Sequence, residues 1–160
     1  LVRRVIDGAG LDHQAPCPFE EGKSLGEAVL TPTKIYVAAC KAALATGGVK
    51  GFAHITGGGL IENPPRTFAS SLAARIDVAS WALPPVFRWL AETSGIEANE
   101  LARTFNCGIG MVVIVHADDL DEVTAALAEA GETVHRIGIL ETRADDAPSV
   151  ILENLASWSS

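Results

Sequence analysis

The chain has 160 residues, of which 48% are hydrophobic and 20% charged, and it carries a net charge of −8 at neutral pH. That length and balance suit one folded domain with a sizeable core and exclude a largely disordered chain. The negative charge argues against a nucleic-acid surface or an anionic membrane as the main partner, and no apolar run approaches the roughly 20 residues of a membrane span.

Three cysteines, Cys17, Cys40 and Cys107, are odd in number and widely spaced, a pattern that predicts neither a disulfide framework nor a zinc site. Four histidines (His13, His54, His116, His135) lack any metal-ligand spacing, so no protein-only metal site is expected. Magnesium brought in with a nucleotide leaves no such signature, because it keeps waters and uses substrate phosphates as ligands. With no charged-then-apolar leader at the N-terminus, the expected compartment is the cytoplasm.

In chain order, Leu1 to Ile6 begins in mid-pattern without an initiator methionine and reads as the start of a piece of a longer chain. Gly8 to Gly22 is turn-rich, and Lys23 to Leu30 predicts a short helix. Thr31-Pro32 reads as an N-cap and first-turn proline, opening a helix through Ile35, Ala38, Ala39 and Ala42 that Gly47-Gly48 closes. Phe52 to Thr56 predicts a short strand with Ala53 and Ile55 on one face and Phe52, His54 and Thr56 on the other. Leu72 to Val78 predicts a second strand, the segment after Pro84-Pro85 a helix, and Glu97 to Thr104 another. Met111 to Val115 is a continuous apolar run of the kind buried on both faces. A helix capped by Asp118 or Asp119 and a strand from Val134 to Leu140 make 109–140 a strand-helix-strand unit. The polar stretch from Thr142 to Pro148 reads as a linker, followed by a short strand near Val150 to Leu155 and a Ser-rich end. The domain is thus expected over 1–141, with 142–160 as linker and tail.

The stretch with chemical content is Thr56-Gly57-Gly58-Gly59 with its flanks. Three glycines allow a sharp turn and leave bare backbone that a ligand can approach. If Leu60 to Asn63 begins a helical turn, outward amides favour an anion, with phosphate the first candidate; a tight structural turn is the other reading. Thr56 adds a hydroxyl, and Asn63 and Arg66 could grip a ribose hydroxyl or phosphate, or serve locally as cap and surface residues. His54 at the strand's end is the candidate for handling a proton, against the alternative of a buried histidine bonded to backbone. Cys107 has no base near it in sequence and reads as a buried apolar residue, while Asn106 and Gly108 shape a turn.

Two segments together, Ala53-His54-Ile55-Thr56-Gly57-Gly58-Gly59 and Arg103-Thr104-Phe105-Asn106-Cys107-Gly108-Ile109-Gly110-Met111, resemble aminoimidazole ribonucleotide synthetase, also called phosphoribosylformylglycinamidine cyclo-ligase. Pro32-Thr33-Lys34-Ile35-Tyr36, Glu62-Asn63-Pro64-Pro65-Arg66 and the segment from Trp81 to Leu90 agree in order and spacing. The resemblance covers that family's C-terminal domain. It implies an α+β fold with a mixed β-sheet flanked by helices, partly ferredoxin-like, and ATP-dependent ring closure of formylglycinamidine ribonucleotide in purine biosynthesis. It also implies ATP and Mg2+ bound mainly by an N-terminal domain that forms a homodimer, with the present residues completing the cleft. Within that frame Thr56, Gly57, Gly58, Gly59, Asn63, Arg66, Asn106 and Gly108 are the substrate and phosphate candidates and His54 the catalytic one. Two alternatives stay open: another ATP-dependent member, of the selenophosphate synthetase or thiamine-monophosphate kinase type, or a non-catalytic ligand-binding domain.

Overall fold

The computed structural model describes residues 1–158. Helix α1 (Val2–Gly8) is followed by a turn-rich loop and by α2 (Leu25–Val29). A capping box starts α2: the Ser24 hydroxyl accepts the Glu27 N–H at 3.3 Å, and the Glu27 carboxylate accepts the Ser24 N–H at 2.8 Å. Then come α3 (Val37–Ala45), β1 (Val49–His54), the single turn α4 (Gly59–Glu62), β2 (Leu72–Asp77), α5 (Pro85–Ser94) and α6 (Ala98–Thr104). Strand β3 (Met111–Val115), α7 (Leu120–Glu129), β4 (Gly138–Thr142) and β5 (Val150–Glu153) complete the chain.

The strands form two hydrogen-bonded sheets. Strand β1 pairs antiparallel with β3, while β2 lies between antiparallel β4 and parallel β5. This is the expected α+β fold with mixed pairing flanked by helices, its strands divided between two sheets. The β1–β3 pair is a middle layer. Its Ala53 and Ile55 enter a core with Leu60, Ile76, Trp81 and Leu101. Its other face, with Phe52, Val113 and Val115, packs against Ala39 and Ala43 of α3 and Val123 and Leu127 of α7. The predicted division of faces along β1 therefore holds.

Several boundaries move for identifiable reasons. Helix α3 begins at Val37, not at Thr31, because the Thr31 hydroxyl donates to the Ala28 carbonyl at 2.9 Å and so closes α2. The residue before a proline also resists helical dihedrals, and Lys34 reaches away to Glu132 at 2.6 Å. Neither aspartate caps α7 with its side chain: a 3-10 turn over Ala117–Asp119 leads in, and the His116 ring nitrogen accepts the Asp118 N–H at 3.4 Å. The strand predicted from Val134 starts only at Gly138, and β3 and β4 lie in different sheets, so 109–140 is not a paired strand-helix-strand unit.

Residues read as linker and tail are part of the body. Strand β5 pairs with β2, and Trp158 is 4% exposed. The Trp158 indole N–H donates to the Val78 carbonyl at 3.2 Å, and its ring meets Trp81 edge to face at 5.8 Å. Removing a buried tryptophan costs about 3–5 kcal/mol. Trp158→Ala should therefore lower unfolding free energy by about that amount in urea titrations followed by circular dichroism.

Two carboxylates fasten β2 to its neighbours. Arg75 hydrogen-bonds Glu141 on β4 at 2.6 Å and Glu153 on β5 at 2.8 Å, and holds the Glu141 carboxyl below its ordinary 4.5. Asp77 accepts from the Asn154 amide at 2.8 Å and the Ala79 N–H at 3.0 Å, which hold it below 3.8. Since both folded values lie below the unfolded ones, their stabilisation is complete above the unfolded values and is lost as pH falls through the folded ones. The urea midpoint should be flat from about pH 7 to 5 and decline below pH 4.5, and Arg75→Met should remove part of that decline.

Candidate functional site

The glycine loop follows β1 directly and is held from inside by Asn63. That side chain is 4% exposed; its amide oxygen accepts the Thr56 N–H at 2.6 Å and its amide nitrogen donates to the Gly57 carbonyl at 3.0 Å. Asn63 is thus occupied by the loop's own backbone and is not turned toward a ligand. Gly58, at φ 100°, and Gly59, at φ 56°, turn the chain into α4, and the Gly59 N–H donates to the Thr56 carbonyl at 2.9 Å. A Cβ on Gly59 would collide with the carbonyls of Ala102 and Phe105. Here the second motif crosses the first at backbone contact.

A second tie runs from the Ile55 N–H to the Gly110 carbonyl at 2.9 Å. Between them the chain turns tightly: the Asn106 side-chain oxygen accepts the Gly108 N–H at 3.1 Å, and Gly108, at φ 100°, passes so near Pro84 that a Cβ would sit 2.8 Å from its ring. The Cys107 carbonyl accepts the Trp81 indole N–H at 2.8 Å. Cys107 is fully buried, with its thiol facing the carbonyls of Leu101 at 3.6 Å and Phe105 at 3.8 Å. Burial pushes that thiol up to about 12, so it stays protonated and serves as packing. Asn106 and Gly108 shape this turn, as their types suggested.

His54, Thr56 and Gly57 remain exposed, side by side in sequence at the open end of β1. The His54 ring meets Tyr36 edge on at 5.7 Å, and the Tyr36 hydroxyl lies where a side chain on Gly110 would stand. Tyr36 is the neighbour that sequence reasoning missed, because it was placed inside a helix that begins one residue later. Its place at the end of the Pro32–Tyr36 stretch that carries the resemblance was the available signal. Arg66 is exposed on the 3-10 turn Pro64–Thr67, whose Thr67 carbonyl lies against Gly51 midway along β1. No described contact brings Arg66 to the glycine loop. Among the described residues no acceptor engages the N–H of Gly57 or Gly58. Helix α4 is a single turn, so its dipole adds little, and the loop's attraction for an anion rests on the amides themselves.

A family model described as AIR synthase related protein, C-terminal domain, matches residues 1–151. The chain belongs to this family. The match runs through β4 and into the start of β5.

The two neighbouring glycines of the AIR synthase-related domain should respond differently to substitution. Gly59→Ala meets backbone carbonyls at a positive φ and should cost more than about 3 kcal/mol or prevent folding. Gly57 has open space around its Cβ position, so Gly57→Ala should stay within about 0.5 kcal/mol of wild type in the same urea titration. Gly58 is not a clean functional probe, because a Cβ there would meet Glu62 and Asn63 within 2.9 and 3.1 Å.

Proposed function

We propose that this domain forms the C-terminal half of an active site that closes the imidazole ring of aminoimidazole ribonucleotide from formylglycinamidine ribonucleotide, using ATP. The observation that carries the reading is the pairing of an exposed histidine with uncommitted glycine amides, on a loop locked in place by the second motif. ATP supplies the phosphoryl group that turns the substrate's amide oxygen into a leaving group. The task left to protein side chains is positioning and cancellation of developing charge. In this reading the N–H groups of Gly57 and Gly58 and the Thr56 hydroxyl hold phosphate oxygens. His54 takes the proton from the amidine nitrogen as it attacks, with its ring steadied by Tyr36.

Magnesium and most of the nucleotide fall, in this reading, to the N-terminal domain of a longer, homodimeric, cytoplasmic protein. Asn63 supports the loop, Asn106 and Gly108 support its partner turn, and Arg66 approaches a ligand only if the complete cleft reaches along β1.

The test compares ATP hydrolysis, with and without formylglycinamidine ribonucleotide, by the complete parent protein and by this 160-residue chain. Substrate-dependent ADP release is expected from the parent alone. In the parent, His54→Ala should lower kcat by about 10²–10⁴-fold, and Gly57→Ala should weaken turnover by blocking ligand approach while leaving the fold intact. A parent without substrate-dependent ADP release, or a His54→Ala variant with full kcat, would sink the assignment.

A further inference from the structure

A sizeable cleft lies away from the glycine loop itself. It lies between the two sheets, with a volume of about 760 Å³; Tyr36, Gly108 and Gly110 line the end that adjoins the candidate site, but no residue from His54 to Asn63 does. One wall is β3, the other the extended segment 132–137 and β4. Its volume is that of a small-molecule site.

Three independent features indicate what it takes. First, β3 is the most apolar strand in the chain, a run that predicts burial on both faces, yet all five of its residues are only half-buried along the cleft. Ile139 on the opposite wall is 52% exposed. Exposed apolar surface of this kind, lining a concavity, marks a binding site more often than an ordinary surface. Second, the charge balance is inverted. The chain has 20 acidic and 12 basic side chains, but the cleft is lined by Lys34, Arg75 and Arg136, with His116 and His135, against the single carboxylate of Glu132. Third, the cations are not equally committed. Lys34 is paired with Glu132 and Arg75 with Glu141 and Glu153, whereas Arg136 is exposed and has no ion pair among the described residues.

We propose that the cleft between β3 and the 132–140 segment is a second ligand site, adjoining the glycine-loop site but lined by none of the loop's own residues, for an anion with an apolar body. The apolar part lies along Ile114, Val134 and Ile139, and the anionic head meets Arg136 and His135 at the rim. A carboxylate and a phosphate monoester present the same recognisable chemistry, an anionic head on an alkyl or aryl body, and both are anions that a guanidinium binds in a forked geometry.

Calorimetric titration of the 160-residue chain tests this with four probes: decanoate, octyl phosphate, neutral octanol and inorganic phosphate. One or both amphiphilic anions should bind one-to-one, and which does so identifies the head group. The neutral alcohol and inorganic phosphate should each bind at least about tenfold more weakly, the loss of one charge-assisted contact or of the apolar body. Arg136→Glu should weaken the anion by about tenfold or more, Ile139→Glu should do likewise, and Gly57→Ala and His54→Ala should leave it unchanged. That last pair separates this site from the proposed catalytic one. Octanol binding as tightly as the anions, no binding by either anion, or an Arg136→Glu variant with unaltered affinity would overturn the proposal. So would slow amide exchange at Val134, His135 and Arg136 in the free chain, which would mean that the segment pairs with β3 and shuts the cleft.

Discussion

The crossing at Gly59 is the constraint on which the rest of the candidate site depends. Two stretches more than forty positions apart approach so closely there that a single added carbon would overlap two backbone carbonyls. Such an approach needs a residue without a Cβ, and the φ of 56° adds a second reason for glycine. Once this contact exists, the turn at 106–110 is placed against the end of β1, and the Ile55 to Gly110 hydrogen bond closes the junction.

What surrounds the crossing is mostly polar satisfaction in the service of shape. Asn63 spends both ends of its amide on the loop, and Trp81 spends its indole N–H on the Cys107 carbonyl. Each such bond contributes only about 1 kcal/mol net, but leaving a buried partner unsatisfied costs about 1–3 kcal/mol. The loop is therefore held in one conformation chiefly because the alternatives would orphan buried groups. Preorganisation of this kind is what a phosphate site asks of a protein, since donors that need not move at the moment of reaction lose no free energy to reorganisation. Exposed His54, Thr56 and Gly57, with half-buried Gly58, stand on a base fixed by these buried hydrogen bonds.

The same economy accounts for the chain's end. Strand β5 and Trp158 complete the core against β2 and Trp81, so a segment with a polar approach and a serine-rich finish is still structural. The inter-sheet cleft is the opposite case: β3 has apolar residues throughout, and the fold leaves them half-covered.

Local chemistry was enough for much of this. Alternation along Ala53 to Thr56, the apolar run at Met111 to Val115 and proline at the start of α5 each depend on the residue and its near neighbours, and each was legible. The glycine turn was legible too, as was the inert character of Cys107. Tertiary structure alone decided that Asn63 faces inward and that Thr31 closes one helix instead of opening the next. It alone placed Tyr36 against His54, put β3 and β4 in separate sheets, and buried Trp158. The reason is common to all five: each is settled by a partner distant in the chain or by competition between two local bonds. Periodicity and propensity record which conformations a segment prefers, but not which distant group will satisfy it.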